Sequence, residues 1–271
     1  MRLAVSNIAW PPEADREAAA ILVEGGVAAV EVTPSRVGGG SGPPDARRVL
    51  EYRKFWEDRG LPIVAMQALL FGHGDLVLFG EPTVRERLLD HLSAVIDLAA
   101  GIGARNLVFG SPRNRSRGSL DHDRAGAIAE RFFRTLARRA ADRGVSMLIE
   151  PNPPAYGCDF LVDARETIAF VNRVNEEGLG VHLDAGAIEL AGESPEEAAR
   201  AAGHRLRHFH ASEPGLLPLG EGGVDHGPIA VALRKAGYRG FVSIEMVQAR
   251  DGVSWQEHLR RAVEIAQGAY R

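Results

Sequence analysis

Glu150, Asp184, His210 and Glu245 each stand at the end of a short run of strand-forming residues, within VSMLIE, GVHLD, LRHFH and FVSIEM. Successive members are separated by 34, 26 and 35 residues, each about the length of one strand, one helix and two loops. If the runs are consecutive parallel strands, their carboxyl ends meet at one end of a sheet, where parallel barrels gather their chemistry. Two glutamates, an aspartate and an imidazole brought together there form a site for a divalent cation. Buried carboxylates are costly unless something positive compensates them. A set this rich in oxygen suits Mn²⁺, Mg²⁺ or Co²⁺ and admits Zn²⁺. A single acidic residue at a strand end more commonly caps a helix or faces solvent. The force of the pattern lies in four consecutive strands ending this way.

The elements needed to position these residues are legible in the chain. Eight strand-like runs fall at 2–6, 28–32, 62–67, 105–109, 145–150, 180–184, 206–210 and 241–246, and most are rich in Val, Ile and Leu, as strands buried on both faces should be. Helical patterns alternate with them at 13–25, 45–59, 83–102, 122–143, 163–176, 194–203, 227–236 and 254–268. Gly60, Gly103, Gly144 and Gly237 close helices ahead of the next strand, and Pro12, Pro82 and Pro228 fall near helix starts. Eight strand–helix alternations without a change in composition predict a single (β/α)₈ TIM barrel spanning residues 1–271. A doubly wound open sheet would need a phosphate-binding glycine fingerprint. VGGGSG at 37–42 is followed by Pro43 and Pro44 where that fingerprint requires a helix, so it reads as a loop.

Composition narrows the setting. The chain has 271 residues, a net charge of −4 and one cysteine, Cys158, which excludes an internal disulfide framework. Basic residues are scattered, which argues against a nucleic-acid partner. The first residues carry no signal-peptide pattern and no apolar stretch reaches about 18 residues, so a cytoplasmic protein without a membrane partner is expected.

The motifs IEPNP, HLDAG, HFHASEP and SIEM, with the turn PLGEGGVD between the last two, resemble the xylose-isomerase-like sugar isomerases and epimerases. The similarity is greatest to the branch of ketose 3-epimerases and hydroxypyruvate-isomerase-like proteins, and it is sharp from about Val145 to Met246. The resemblance implies that Glu150, Asp184, His210 and Glu245 bind one divalent metal. It also implies that Glu150 and Glu245 exchange a proton with the substrate carbon from opposite sides, through an enediolate that the metal stabilises. The chain departs from the family at three substrate-contact positions, which here are Tyr156, Ala187 and Leu216. The metal set is therefore intact and the sugar-contact set is not.

Other residues are candidates for the missing contacts. His182 and His208 lie two positions before metal-ligand candidates, on the same strand face, and His182 is the preferred substrate or outer-sphere contact. Gln67 and Glu31 are placed to bind hydroxyls or to close loop hydrogen bonds. Trp10 is either a platform for a sugar face or rim packing. The loop GSPRNRSRG places Arg113, Arg115 and Arg117 near the mouth, where Arg113 or Arg115 would clamp a phosphate or carboxylate, unless the loop is merely solvated. ALLFGHGDLVLFG at 68–80 is apolar enough for a lid or a contact with a second subunit, so a homo-oligomer stays open. The expected activity is metal-dependent isomerisation or epimerisation of a small sugar-like compound, phosphorylated and acidic ones included. The alternatives are a dehydratase or lyase acting on a keto-polyol, an apurinic-site endonuclease and a non-catalytic sugar-binding protein.

Overall fold

The computed structural model describes residues 1–38, 45–248 and 252–271; most of the glycine-rich stretch at 37–42 lies outside them. The strands are β1 (Arg2–Ser6), β2 (Ala29–Val32), β3 (Ile63–Met66), β4 (Asn106–Phe109), β5 (Ser146–Ile149), β6 (Leu179–Asp184), β7 (Leu206–Ser212) and β8 (Phe241–Glu245). They close into one barrel in sequence order, and every neighbouring pair, including β1 with β8, is parallel. The helices are α1 (Asp15–Glu24), α2 (Pro34–Gly38), α3 (Ala46–Glu57), α4 (Pro82–Ile102), α5 (His122–Asp142), α6 (Ala164–Val174), α7 (Ala185–Ala191), α8 (Pro195–Ala202), α9 (His226–Lys235) and α10 (Trp255–Tyr270). All eight sequence-predicted strands and helices are present. The short α2 and α7 are additional, because five and seven residues are too few for a periodic signal to emerge.

Local chemistry fixes the element ends. Asp121 and Asp163 cap α5 and α6 by accepting the backbone N–H groups of Arg124 and Glu166 at 2.8 and 2.6 Å. Gly60, Gly103, Gly144 and Gly237 all have positive φ, the left-handed conformation that ends a helix at little cost for glycine. The helices bury their apolar faces against the outside of the barrel. Phe109 on β4 meets Phe133 of α5 edge-on, and Phe133 in turn meets Phe170 of α6.

Strand register is the part of the fold that makes the site. On β6 and β7, His182 is level with His208 and Asp184 with His210; on β7 and β8, Ser212 is level with Glu245. Because side chains alternate across a strand, His182 and Asp184 share one face of β6, and His208, His210 and Ser212 share one face of β7. No helix among the described residues is long and apolar enough to cross a membrane.

Candidate metal centre

The four strand-end residues converge. His210 Nδ1 lies 3.1 Å from Glu245 Oε2 and 3.9 Å from Asp184 Oδ2. Glu150 belongs to the same cluster: one donor atom each from Glu150, His182, Asp184 and His210 can be chosen so that all lie within 4.8 Å of one another. Asp184 is held by two fixed donors. The Ala187 N–H donates to its Oδ1 at 2.7 Å, which makes it the cap of α7, and the Ser212 hydroxyl donates to Oδ2. Ser212 itself accepts from the Gly186 N–H at 3.0 Å. Sequence reasoning missed Ser212, although its two-residue offset from His210 was a readable signal once β7 is known to continue to it.

Glu150 is positioned from its flanks. Its backbone carbonyl accepts from Arg115 Nη2 at 2.7 Å, and Asn152 Nδ2 donates to its Oε2 at 3.3 Å. The facing residue is Gly110; a Cβ there would strike Glu150 Oε2, so any other residue would push the carboxylate from its present place. Above the cluster, Tyr156 stands half-buried and accepts the Gly215 N–H on its hydroxyl at 3.2 Å, tying the loop after β5 to the loop after β7. Burial raises its pKa, and the negative charges of Asp184, Glu245 and Glu150 raise it further, so its phenol is near all three carboxylates.

The remaining candidates are distributed differently. Glu31 and His208 are fully buried below the cluster, with Glu31 Oε2 2.9 Å from His210 Nε2 and 3.3 Å from His208 Nε2. Gln67 is buried and donates to the Ser6 hydroxyl, so it closes a barrel-interior hydrogen bond. Trp10 is a core residue rather than a sugar platform: it is 1% exposed, packs on Trp56 and donates its indole N–H to Asp15 at 2.7 Å. Arg115 is likewise no anion clamp. It is fully buried, and its guanidinium donates to the carbonyls of Phe109, Glu150 and Leu161 and to Cys158 Sγ. Arg117 binds the carbonyls of Asp159 and Leu120. Arg113 alone of the three is exposed, and it makes no hydrogen bond or ion pair among the described residues. The apolar segment 68–80 is stitched down by Asn114, whose amide donates to the carbonyls of His73 and Leu76, and it leaves Phe71 exposed.

Electrostatics match a site built for a cation. Burial, then the charges of Asp184 and Glu245, pushes the Glu150 carboxyl up to about 8. Burial and then Glu245 raise Asp184 to about 6. Burial would pull His210 down, but Glu31 and Glu245 outweigh it and hold the imidazole well above its usual range. His182 is drawn well below that range by burial, reinforced by His210 and His208. It is enclosed, both of its ring nitrogens lack a hydrogen-bond partner among the described residues, and its Nε2 lies 3.6 Å from Glu150 Oε1. A neutral buried imidazole with unused nitrogens beside an overcharged carboxylate cluster fits a bound divalent ion, and the oxygen-rich donor set fits it too.

The sequence profile of the family described as xylose isomerase-like TIM barrel matches residues 19–266. Among curated relatives, the L-ribulose 3-epimerase of Methylomonas sp. (strain DH-1) is 30% identical over 123 residues, covering 45% of this chain and 42% of that protein. The D-psicose 3-epimerase of Agrobacterium fabrum (strain C58 / ATCC 33970) is 32% identical over 125 residues, covering 45% and 43%. The aligned region thus spans about half the length of the curated relatives it matches. The solved D-psicose 3-epimerase from Clostridium cellulolyticum H10 with D-tagatose superposes with a TM-score of 0.83 at 17% identity, covering 100% of both chains. The 3-keto-D-glucoside 4-epimerase from E. coli superposes with a TM-score of 0.80 at 17% identity and 99% coverage of each. At such identities the structural likeness establishes the fold.

Ligands must shed protons to bind a metal, so affinity for Mn²⁺ or Co²⁺ should climb as pH rises from 6 to 8, by about tenfold per pH unit for each proton displaced. Calorimetry in buffers of different ionisation enthalpy measures both the affinity and the released protons; an affinity flat across that range contradicts the assignment. Arg115→Lys replaces a planar fork with one ammonium that cannot span four acceptors. It should cost about 1–3 kcal/mol in urea denaturation. A variant as stable as the parent would make Arg115 a candidate for substrate binding again.

Proposed function

The chain belongs to the xylose isomerase-like TIM barrel family, and on that footing we propose that it is a divalent-metal-dependent epimerase or isomerase of a small sugar or related polyhydroxy carbonyl compound. The observation that carries this reading is the convergence of Glu150, Asp184 and Glu245 on His210 at the carboxyl ends of β5, β6, β8 and β7. Similarity to named sugar 3-epimerases supports it. In this proposal Glu150, Asp184, His210 and Glu245 hold one ion, with Mn²⁺, Co²⁺ or Mg²⁺ preferred over Zn²⁺. Such an ion, when bound, supplies the positive charge that stabilises the enediolate left when a proton departs from the carbon beside a carbonyl.

The proton chemistry falls to the two glutamates. One carboxylate, Glu150 or Glu245, removes the proton from one side of the substrate carbon, and the other returns a proton from the opposite side. Return to the same carbon inverts it; return to the neighbouring carbon moves the carbonyl. Asp184, clamped by Ser212 and the Ala187 amide, has no freedom to shuttle a proton and serves to hold charge. The Tyr156 hydroxyl contacts the substrate where relatives of the resembled branch place a glutamate. Ala187 and Leu216 leave the neighbouring wall less polar than in that branch, so the substrate need not be a free ketohexose. Arg113, exposed in the loop after β4, is the cation left to meet an acidic group on the substrate.

Glu150→Gln and Glu245→Gln should each lower kcat by about a hundredfold or more, the usual scale for removing a general base. Turnover in D₂O should place deuterium on the carbon beside the carbonyl in recovered substrate or product. Active enzyme that leaves this position unlabelled would overturn the proton-transfer reading, and a dehydrated product would redirect it to lyase chemistry.

Arg113→Ala should raise KM for an acidic substrate while sparing a neutral analogue, since one charged hydrogen-bonded contact contributes about 1.5–3 kcal/mol. Equal effects on both compounds would remove Arg113 from the binding site.

A further inference from the structure

We infer that Glu31 on β2 is the positioning residue that turns Nδ1 of His210 toward the cation, an inference that rests on the metal reading above. The two nitrogens of His210 face different partners. Nε2 lies 2.9 Å from Glu31 Oε2, while Nδ1 lies 3.1 Å from Glu245 Oε2 and 3.9 Å from Asp184 Oδ2. An ionised carboxylate can only accept, so a His210 that gives its Nδ1 lone pair to a metal donates its Nε2 proton to Glu31. The Nδ1 lone pair is then presented to the acidic cluster, where a metal would take it. A carboxylate behind a metal-binding imidazole fixes ring orientation and tautomer and makes the ligand nitrogen more basic.

Three features tie Glu31 to this task. It reaches His210 from the opposite wall of the barrel, 179 residues away in sequence, so the contact is a product of barrel closure. It is fully buried, which removes it from contact with a substrate entering at the mouth. His208 Nε2 also approaches Oε2, at 3.3 Å, whereas Oε1 is buried and accepts no hydrogen bond among the described residues. A carboxylate placed only to satisfy neighbouring donors would share them between its oxygens. Here both imidazoles converge on one oxygen, Glu31 Oε2.

The test is Glu31→Gln, which keeps the shape and removes the charge. Zn²⁺ and Co²⁺ affinities, read by competition with a chromophoric chelator, should fall by about 10–100-fold while the far-UV circular dichroism stays that of the parent. In Zn²⁺-loaded parent protein labelled with ¹⁵N-histidine, His210 should have Nδ1 as the ligand and a proton on Nε2. This second measurement decides the question even if the variant does not fold. Parent-like affinity in the variant, or a His210 that binds zinc through Nε2, overturns the inference and leaves the metal site standing. A parent protein that takes up neither ion at this cluster overturns the metal reading and this inference with it.

Discussion

Like charges enclosed in a low-dielectric barrel mouth are the constraint around which this molecule is organised. Two carboxylates about 4 Å apart repel by roughly 4 kcal/mol at the effective dielectric of a protein near its surface, and here Glu150, Asp184 and Glu245 share one neighbourhood with Glu31 beneath them. The two layers answer the repulsion differently. In the lower layer burial would raise the Glu31 carboxyl, but the imidazoles of His210 and His208 outweigh it and hold it well below the usual carboxylate range. In the upper layer three carboxylates crowd around His210, and burial with the charges of Asp184 and Glu245 pushes the Glu150 carboxyl up to about 8. The imbalance is what gives a divalent ion its place in the proposed chemistry.

Supporting structure follows from that arrangement. Parallel closure is the only part of the fold that could bring β2, β5, β6, β7 and β8 to one mouth, and register within it sets which residues are level. Backbone groups then immobilise the acids: the start of α7 fixes Asp184, Arg115 fixes the carbonyl of Glu150, and Gly110 clears room for its carboxylate. A group that must move a proton gains from such fixation, because the rate depends on holding it close to the reactive geometry.

Much of this was legible in the chain, for identifiable reasons. Strands buried on both faces carry a strong apolar signal, and helices ended by positive-φ glycines punctuate it, so the barrel and its order could be read directly. The four acids and bases were visible because a strand end is a definite place in a barrel. Depth was not visible. Arg115 sits among glycine, serine and asparagine, the company of a surface loop, yet it is one of the most buried large residues of the protein. Trp10 appeared beside two prolines as if at a rim, and Trp56, its partner in the core, is 46 residues away. Glu31 looked like a hydroxyl ligand because nothing local reveals that β2 faces β7 across the interior. Ser212 was passed over because β7 runs two residues beyond its apolar run.

Arg115 also bears on how such a barrel can change what it accepts. Its guanidinium ties the loop after β4 to backbone carbonyls at the end of β4 and in the loop after β5, and draws no specificity from the side chains of Phe109, Glu150 or Leu161. The neighbouring positions that face outward, Arg113 among them, are thereby relieved of any duty in holding Glu150. Such a loop can be recoded for a new ligand over evolutionary time, or in the laboratory, with the reactive centre carried along unchanged. The anchor separates the part of the loop that must be inherited from the part that is free to drift.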